Sequence, residues 1–184
     1  MDKTVYLVRH CETSGQEADA PLTAEGSEQA EALAAWLSDQ FIERIVSSPY
    51  VRARQSILPL ATRLGICVET DARLVERVLS ATPLPDWREQ LAASFADMSR
   101  CLPGGESSRT AMDRGVAAVR DVISHSASAT VVVTHGNLLT LLLKHFDETV
   151  GFAEWERLTN PDIYRVQYVG DRPSVERLIP GTPV

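Results

Sequence analysis

Two distant stretches of this chain finish in the same way: VYLVRH closes on His10 and TVVVTH on His135, each a short apolar, β-branched run that stops at an imidazole. Runs of that kind read as strands buried on both faces, which belong in sheets covered by helices on both sides. The intervening segments supply the helices. Ala30, Leu33, Ala34 and Leu37 recur at helical spacing behind Thr23, a candidate N-cap. Residues 44–47 read as a strand, 50–64 as a helix closing at Gly65, and 67–69 as a third strand. Pro59 lies inside that helix and predicts a break there, downstream of Arg52. Helices are expected over 107–124 and 138–146, and strands over 163–168 and 175–179. The expected fold is α/β: a three-layer, doubly wound, mostly parallel sheet with helices on both faces, in one domain of 184 residues. A segment at about 77–105, rich in proline and holding one helix over 86–98, reads as a lid-like insertion.

In such sheets ligands bind outside the carboxyl ends of the strands. His10, Arg9 and His135 end strands there, and Arg52 falls in the first helical turn after a third strand end, so the four can share one pocket. A guanidinium fork neutralises phosphoryl oxygens, while a neutral imidazole can attack phosphorus in line. Taken singly, each residue has a bland alternative, a hydrogen-bonded edge histidine or a solvated arginine. Taken together, the four weaken it. A metal site is the rival, but no HxxxH or HExxH spacing occurs and adjacent arginines repel a cation, so neither metal nor cofactor is expected.

Charge narrows the partners. With 18 Lys and Arg against 25 Asp and Glu, the net charge is −7, which disfavours nucleic acid. Only Lys3 and Lys144 are lysines, so cation recognition falls to arginine. Cys11, Cys67 and Cys101 are odd in number and far apart, unlike a disulfide framework. The first apolar run is too short for a signal peptide or a membrane span, so a cytoplasmic protein without a membrane partner is expected. Nothing in the sequence specifies an oligomeric state.

Six motifs in order, Arg9-His10-Cys11-Glu12-Thr13, LTAEGSEQA (22–30), SSPYVRARQS (47–56), RLVER (73–77), PGGES (103–107) and VVVTHGNLLTLL (131–142), make the chain resemble the histidine phosphatase superfamily, which includes the cofactor-dependent phosphoglycerate mutases. The resemblance implies that His10 is the nucleophile, that Arg9, Arg52 and His135 hold the phosphoryl group, and that Glu76 is the proton donor. On sequence alone Glu76 reads more simply as a surface partner of Arg73 or Arg77. Gln16 and Gly136 join the implied substrate-binding set, although Gln16 stands where many members have Asn. Thr23, Gly26 and Gln29 read as capping and packing, and Glu106 as a loop residue that caps the next helix. Cys11 replaces the usual Gly; it reads as a small buried residue or, alternatively, as a thiol activated by nearby arginines. Trp87, Leu91, Phe95 and Met98 either roof the pocket or pack on the sheet. The short chain, and Val78-Leu79-Ser80 in place of the mutases' glycine-containing stretch, favour a phosphatase acting on a small phosphorylated metabolite. A protein phosphohistidine or phosphoserine phosphatase, a phosphoglycerate mutase and a non-catalytic phosphate-binding regulator are the alternatives.

Overall fold

The computed structural model describes residues 2–125, 127–169 and 172–178. Six strands form one sheet: β1 (Lys3–Arg9), β2 (Arg44–Ser47), β3 (Val68–Thr70), β4 (Ala129–Thr134), β5 (Asp162–Val169) and β6 (Arg172–Leu178), in the order β3-β2-β4-β1-β5-β6. Strands β3, β2, β4 and β1 are parallel, whereas β5 and β6 add an antiparallel hairpin at one edge. The expected strand over 175–179 is β6, and its Ile179 lies outside the described residues.

Alternation along the strands divides the core in two. Val5, Leu7, Val46 and Val132 point to one face, covered by α3 (Trp87–Ala96), α4 (Ser108–Ser124) and α5 (Gly136–Phe146). Tyr6, Val8, Ile45, Val131 and Val133 point to the other, covered by α1 (Ala24–Leu37) and α2 (Val51–Leu64). β4 is buried along its whole length, in keeping with its three consecutive valines and small or β-branched flanking residues. A short helix that the sequence reading missed, α6 (Phe152–Glu156), precedes β5. Among the described residues no helix is long and apolar enough to cross a membrane.

The break expected at Pro59 does not occur: α2 runs through it to Gly65. Proline deprives the Gln55 carbonyl of its helical partner, but Gln55 is exposed, where water can take that place. Ile57, Leu60 and Ala61 anchor the opposite side of the helix in the core. Likewise Leu91 and Phe95 are buried in the core, with Met98 packed against it, so these three pack on the sheet side. Trp87 differs, being largely exposed and edge-on to Trp155 at 5.9 Å.

Candidate active site

The β1/β4 register sets Arg9 opposite Thr134, and the His10 N–H donates to the Thr134 carbonyl at 3.0 Å, so the two strands end level with each other. His10 and His135 therefore meet, ring centroids 5.1 Å apart. His10 Nδ1 lies 2.7 Å from the Cys11 carbonyl. A carbonyl only accepts, so Nδ1 carries the hydrogen and Nε2 keeps its lone pair. Burial, helped by the charges of Arg52 and Arg9 and opposed by the Cys11 carbonyl, pushes the His10 pKa down to about 4. The ring is thus neutral at ordinary pH, with a lone pair left on Nε2.

A measurable consequence follows for acid. An NMR titration of the free protein should find His10 protonating near pH 4, well below the usual value of about 6.5. The unfolded chain binds that proton more readily, so this group's contribution to stability falls as pH drops from about 6.5 and is lost below about 4. A His10 titration at its ordinary pH would contradict the buried geometry.

Two arginines flank the histidine pair. Arg52, in the first turn of α2, is only 1% exposed; its Nη1 donates to the Gln16 and Glu17 carbonyls at 3.1 and 2.6 Å, and its guanidinium lies 4.9 Å over the Tyr50 ring. Arg9 Nη1 donates to the Leu158 and Thr159 carbonyls at 3.3 and 3.2 Å. Main-chain carbonyls fix both side chains without pairing their charge. Gln16 thus serves the site by its main chain, while its side chain is exposed. Gly136 allows Arg9 close to the start of α5, because a Cβ there would sit 3.1 Å from Arg9 Nε and 3.3 Å from Cζ.

Buried polar atoms in native proteins are nearly always paired. Yet Arg9 Nε, Arg52 Nε and His135 Nδ1 are buried without a hydrogen-bond partner among the described residues. Three such atoms on the side chains around His10 form a cradle suited to a compact anion. His135 is fully buried, and burial, reinforced by His10, Arg52, Arg114 and Arg9, holds its pKa well below the usual histidine range. The ring is therefore neutral.

Glu76 is not a surface partner of its neighbours. Arg73 pairs with Asp71 and Asp121, while the Arg77 side chain donates to Ser94 Oγ and the Glu106 carbonyl. The Glu76 carboxylate instead accepts the N–H groups of Asn137 and Leu138, both at 3.0 Å, at the positive end of α5, and that of Arg77 at 2.9 Å. It lies close enough to Arg9 and Arg52 to be the strongest charge opposing the burial effect on each.

The remaining motif residues clamp the loop behind His10. Thr23 caps α1 on the Gly26 N–H and also donates to Glu12 Oε1 at 2.9 Å, and Gln29 Oε1 accepts the Glu12 N–H at 2.8 Å. A Cβ at Gly26 would lie 2.0 Å from the Glu12 carbonyl oxygen, so only glycine lets α1 approach this loop. Cys11 is buried, its main-chain N–H donating to Ser56 Oγ, and burial pushes its thiol up to about 11; it is a packing residue, not an activated thiol. Glu106 pairs through both oxygens with Arg114, and Ser107 rather than Glu106 caps α4. Arg114 in turn donates to the Arg73 and Val75 carbonyls, steadying the approach to Glu76.

The sequence reading missed three contributors. Ser48 meets His135 Nε2 at 2.8 Å, Asn160 Nδ2 donates to the His10 carbonyl at 2.7 Å, and buried Asp162 is paired with Arg177 and accepts the Thr159 N–H. Ser48 lay within a quoted motif; Asn160 and Asp162 stand about 150 residues from His10 and carried no local signal.

Comparison with known proteins agrees with this architecture. The family description "Histidine phosphatase superfamily (branch 1)" matches residues 5–179. "Probable phosphoglycerate mutase GpmB" of Serratia proteamaculans is 33% identical over 183 residues, spanning 89% of this chain and 84% of that protein. Its Salmonella choleraesuis counterpart is 31% identical over the same share of each. Among solved structures, a mycobacterial glucosyl-3-phosphoglycerate phosphatase superposes with a TM-score of 0.76 at 23% identity, covering 96% of this chain and 97% of that one. YhfR of Bacillus stearothermophilus gives 0.77 at 23%, covering 95% and 96%. At such identities the solved structures speak for the fold, while the family match and the curated relatives speak for descent: this chain belongs to the histidine phosphatase superfamily.

Proposed function

We propose that this protein is a phosphomonoester phosphatase that works through a phosphohistidine on His10 and acts on a small phosphorylated metabolite. The observation that carries the reading is the bare Nε2 of a buried, neutral His10 beside the unpartnered N–H groups of Arg9 and Arg52. In the first step the Nε2 lone pair forms a bond to phosphorus as the ester P–O bond breaks, and the Glu76 carboxyl gives its proton to the leaving oxygen. In the second, Glu76 as carboxylate takes a proton from water, whose oxygen displaces Nε2 from phosphorus and yields inorganic phosphate. Arg9, Arg52 and His135 hold the phosphoryl oxygens throughout.

The net charge of −7 favours compact substrates over extended polyanions. Segment 77–105 is read as the rim of the pocket, fixed by Leu91 and Phe95 in the core. A panel of phosphorylated metabolites assayed for phosphate release tests the reading, with His10→Ala as control. Because the arginines supply the positive charge, EDTA should leave the rate unchanged; a loss restored by Mg2+ or Zn2+ would overturn the mechanism. The curated relatives' name favours one second reading, a phosphoglycerate mutase. Incubation with 3-phosphoglycerate separates the two, a mutase returning 2-phosphoglycerate and a phosphatase returning glycerate and phosphate.

A further inference from the structure

His135 Nε2 meets Ser48 Oγ at 2.8 Å, and both side chains are fully buried. Ser48 is itself fixed: its N–H donates to the Val133 carbonyl at 2.9 Å, which ties it to the strand that ends at His135. Its hydroxyl accepts the Tyr50 N–H at 3.3 Å. The single hydroxyl hydrogen then has one acceptor within reach among the described residues, His135 Nε2. If Nε2 carried the proton instead, the hydroxyl hydrogen would be buried without an acceptor and Nδ1 would present a lone pair to any anion in the cradle. Both outcomes are costly in a buried site.

We infer that Ser48 is a positioning residue that holds His135 in the Nδ1–H tautomer, which turns this otherwise unpartnered ring nitrogen into a hydrogen-bond donor for a phosphoryl oxygen. The inference rests on the phosphatase reading for its ligand, but on Ser48 and Tyr50 for its tautomer. Ser48 touches no substrate; it acts through the ring. His10 uses the opposite device, its Nδ1–H held by a carbonyl so that Nε2 stays bare. The two imidazoles are thus the same tautomer with divided tasks, one attacking through Nε2 and the other donating through Nδ1.

Ring-15N-histidine NMR of the full chain with vanadate bound, near neutral pH, tests this, His135 being assigned by difference against H10A, H125Q and H145Q. The expected spectrum shows His135 with a protonated Nδ1 and a bare Nε2. In Ser48→Ala the Nε2 nitrogen should move toward the protonated form, and vanadate affinity and kcat/KM should fall on the order of tenfold to a hundredfold, at or below the cost of deleting an oxyanion donor. A wild-type His135 protonated on Nε2 overturns the inference, and so does a folded Ser48→Ala that keeps both the tautomer and the vanadate affinity. Should that variant not fold, the wild-type spectrum decides alone. The phosphatase reading fails separately, by the absence of phosphate release or of label on His10 in the wild type.

Discussion

His10→Ala should lose at least about 10^4-fold in turnover, in line with removal of the nucleophile from other covalent enzymes. The matching positive result is label: rapid quench of the wild type with 32P-substrate should trap acid-labile phosphate on His10 alone. The structure makes the attribution sharp, because the other exits are closed. His135 has its Nε2 tied to Ser48, and among the described residues only His10 offers an unprotonated imidazole nitrogen close to both the buried Arg52 and the half-buried Arg9. His125 follows the end of α4 and His145 lies in the last turn of α5. Phosphate mapped to any of these three would refute the assignment of the nucleophile.

The second large effect belongs to Glu76, and it depends on the leaving group. Glu76→Gln should cost roughly 100-fold or more on an alkyl phosphate, whose alkoxide cannot leave without a proton, and clearly less on p-nitrophenyl phosphate. The comparison within one variant matters here. Both carboxylate oxygens accept main-chain N–H groups, so an amide at this position turns its own N–H toward another donor and disturbs the start of α5. That disturbance burdens both substrates alike and cancels in their ratio, leaving the proton. Equal losses would assign Glu76 to shaping the pocket, or place hydrolysis of the phosphohistidine as the slow step, which a burst of nitrophenol would reveal.

What the sequence made legible depends on how local each signal was. Strand ends are local, and both histidines were placed by the apolar runs that stop at them; Arg52 followed from its distance to the end of β2. Glu76 was not, since its partners are amides at 137 and 138, reached only once β4 and α5 are assembled. The segment before β5 that braces Arg9 and His10 is non-local in the same sense, with Leu158, Thr159 and Asn160 meeting residues about 150 positions earlier, and so is the pairing of β1 with the β5–β6 hairpin. The hairpin's antiparallel sense was within reach, because the short connection between the last two strands leaves no room for a crossover helix. At Pro59 the local rule was outweighed by the buried face of α2.

Carbonyl tethering of the two arginines has a kinetic consequence. Dipoles hold Arg9 and Arg52 in place without cancelling them, so the cradle keeps positive charge inside a molecule whose total is −7. An approaching dianion first meets the repulsion of the whole and only then, within a few ångströms, the attraction of the pair. Mobile ions screen the first over about 10 Å at 0.1 M but scarcely reach the second. Association of small phosphate esters should therefore quicken as salt is raised from low concentration, the reverse of the slowing seen where a cationic surface steers its ligand.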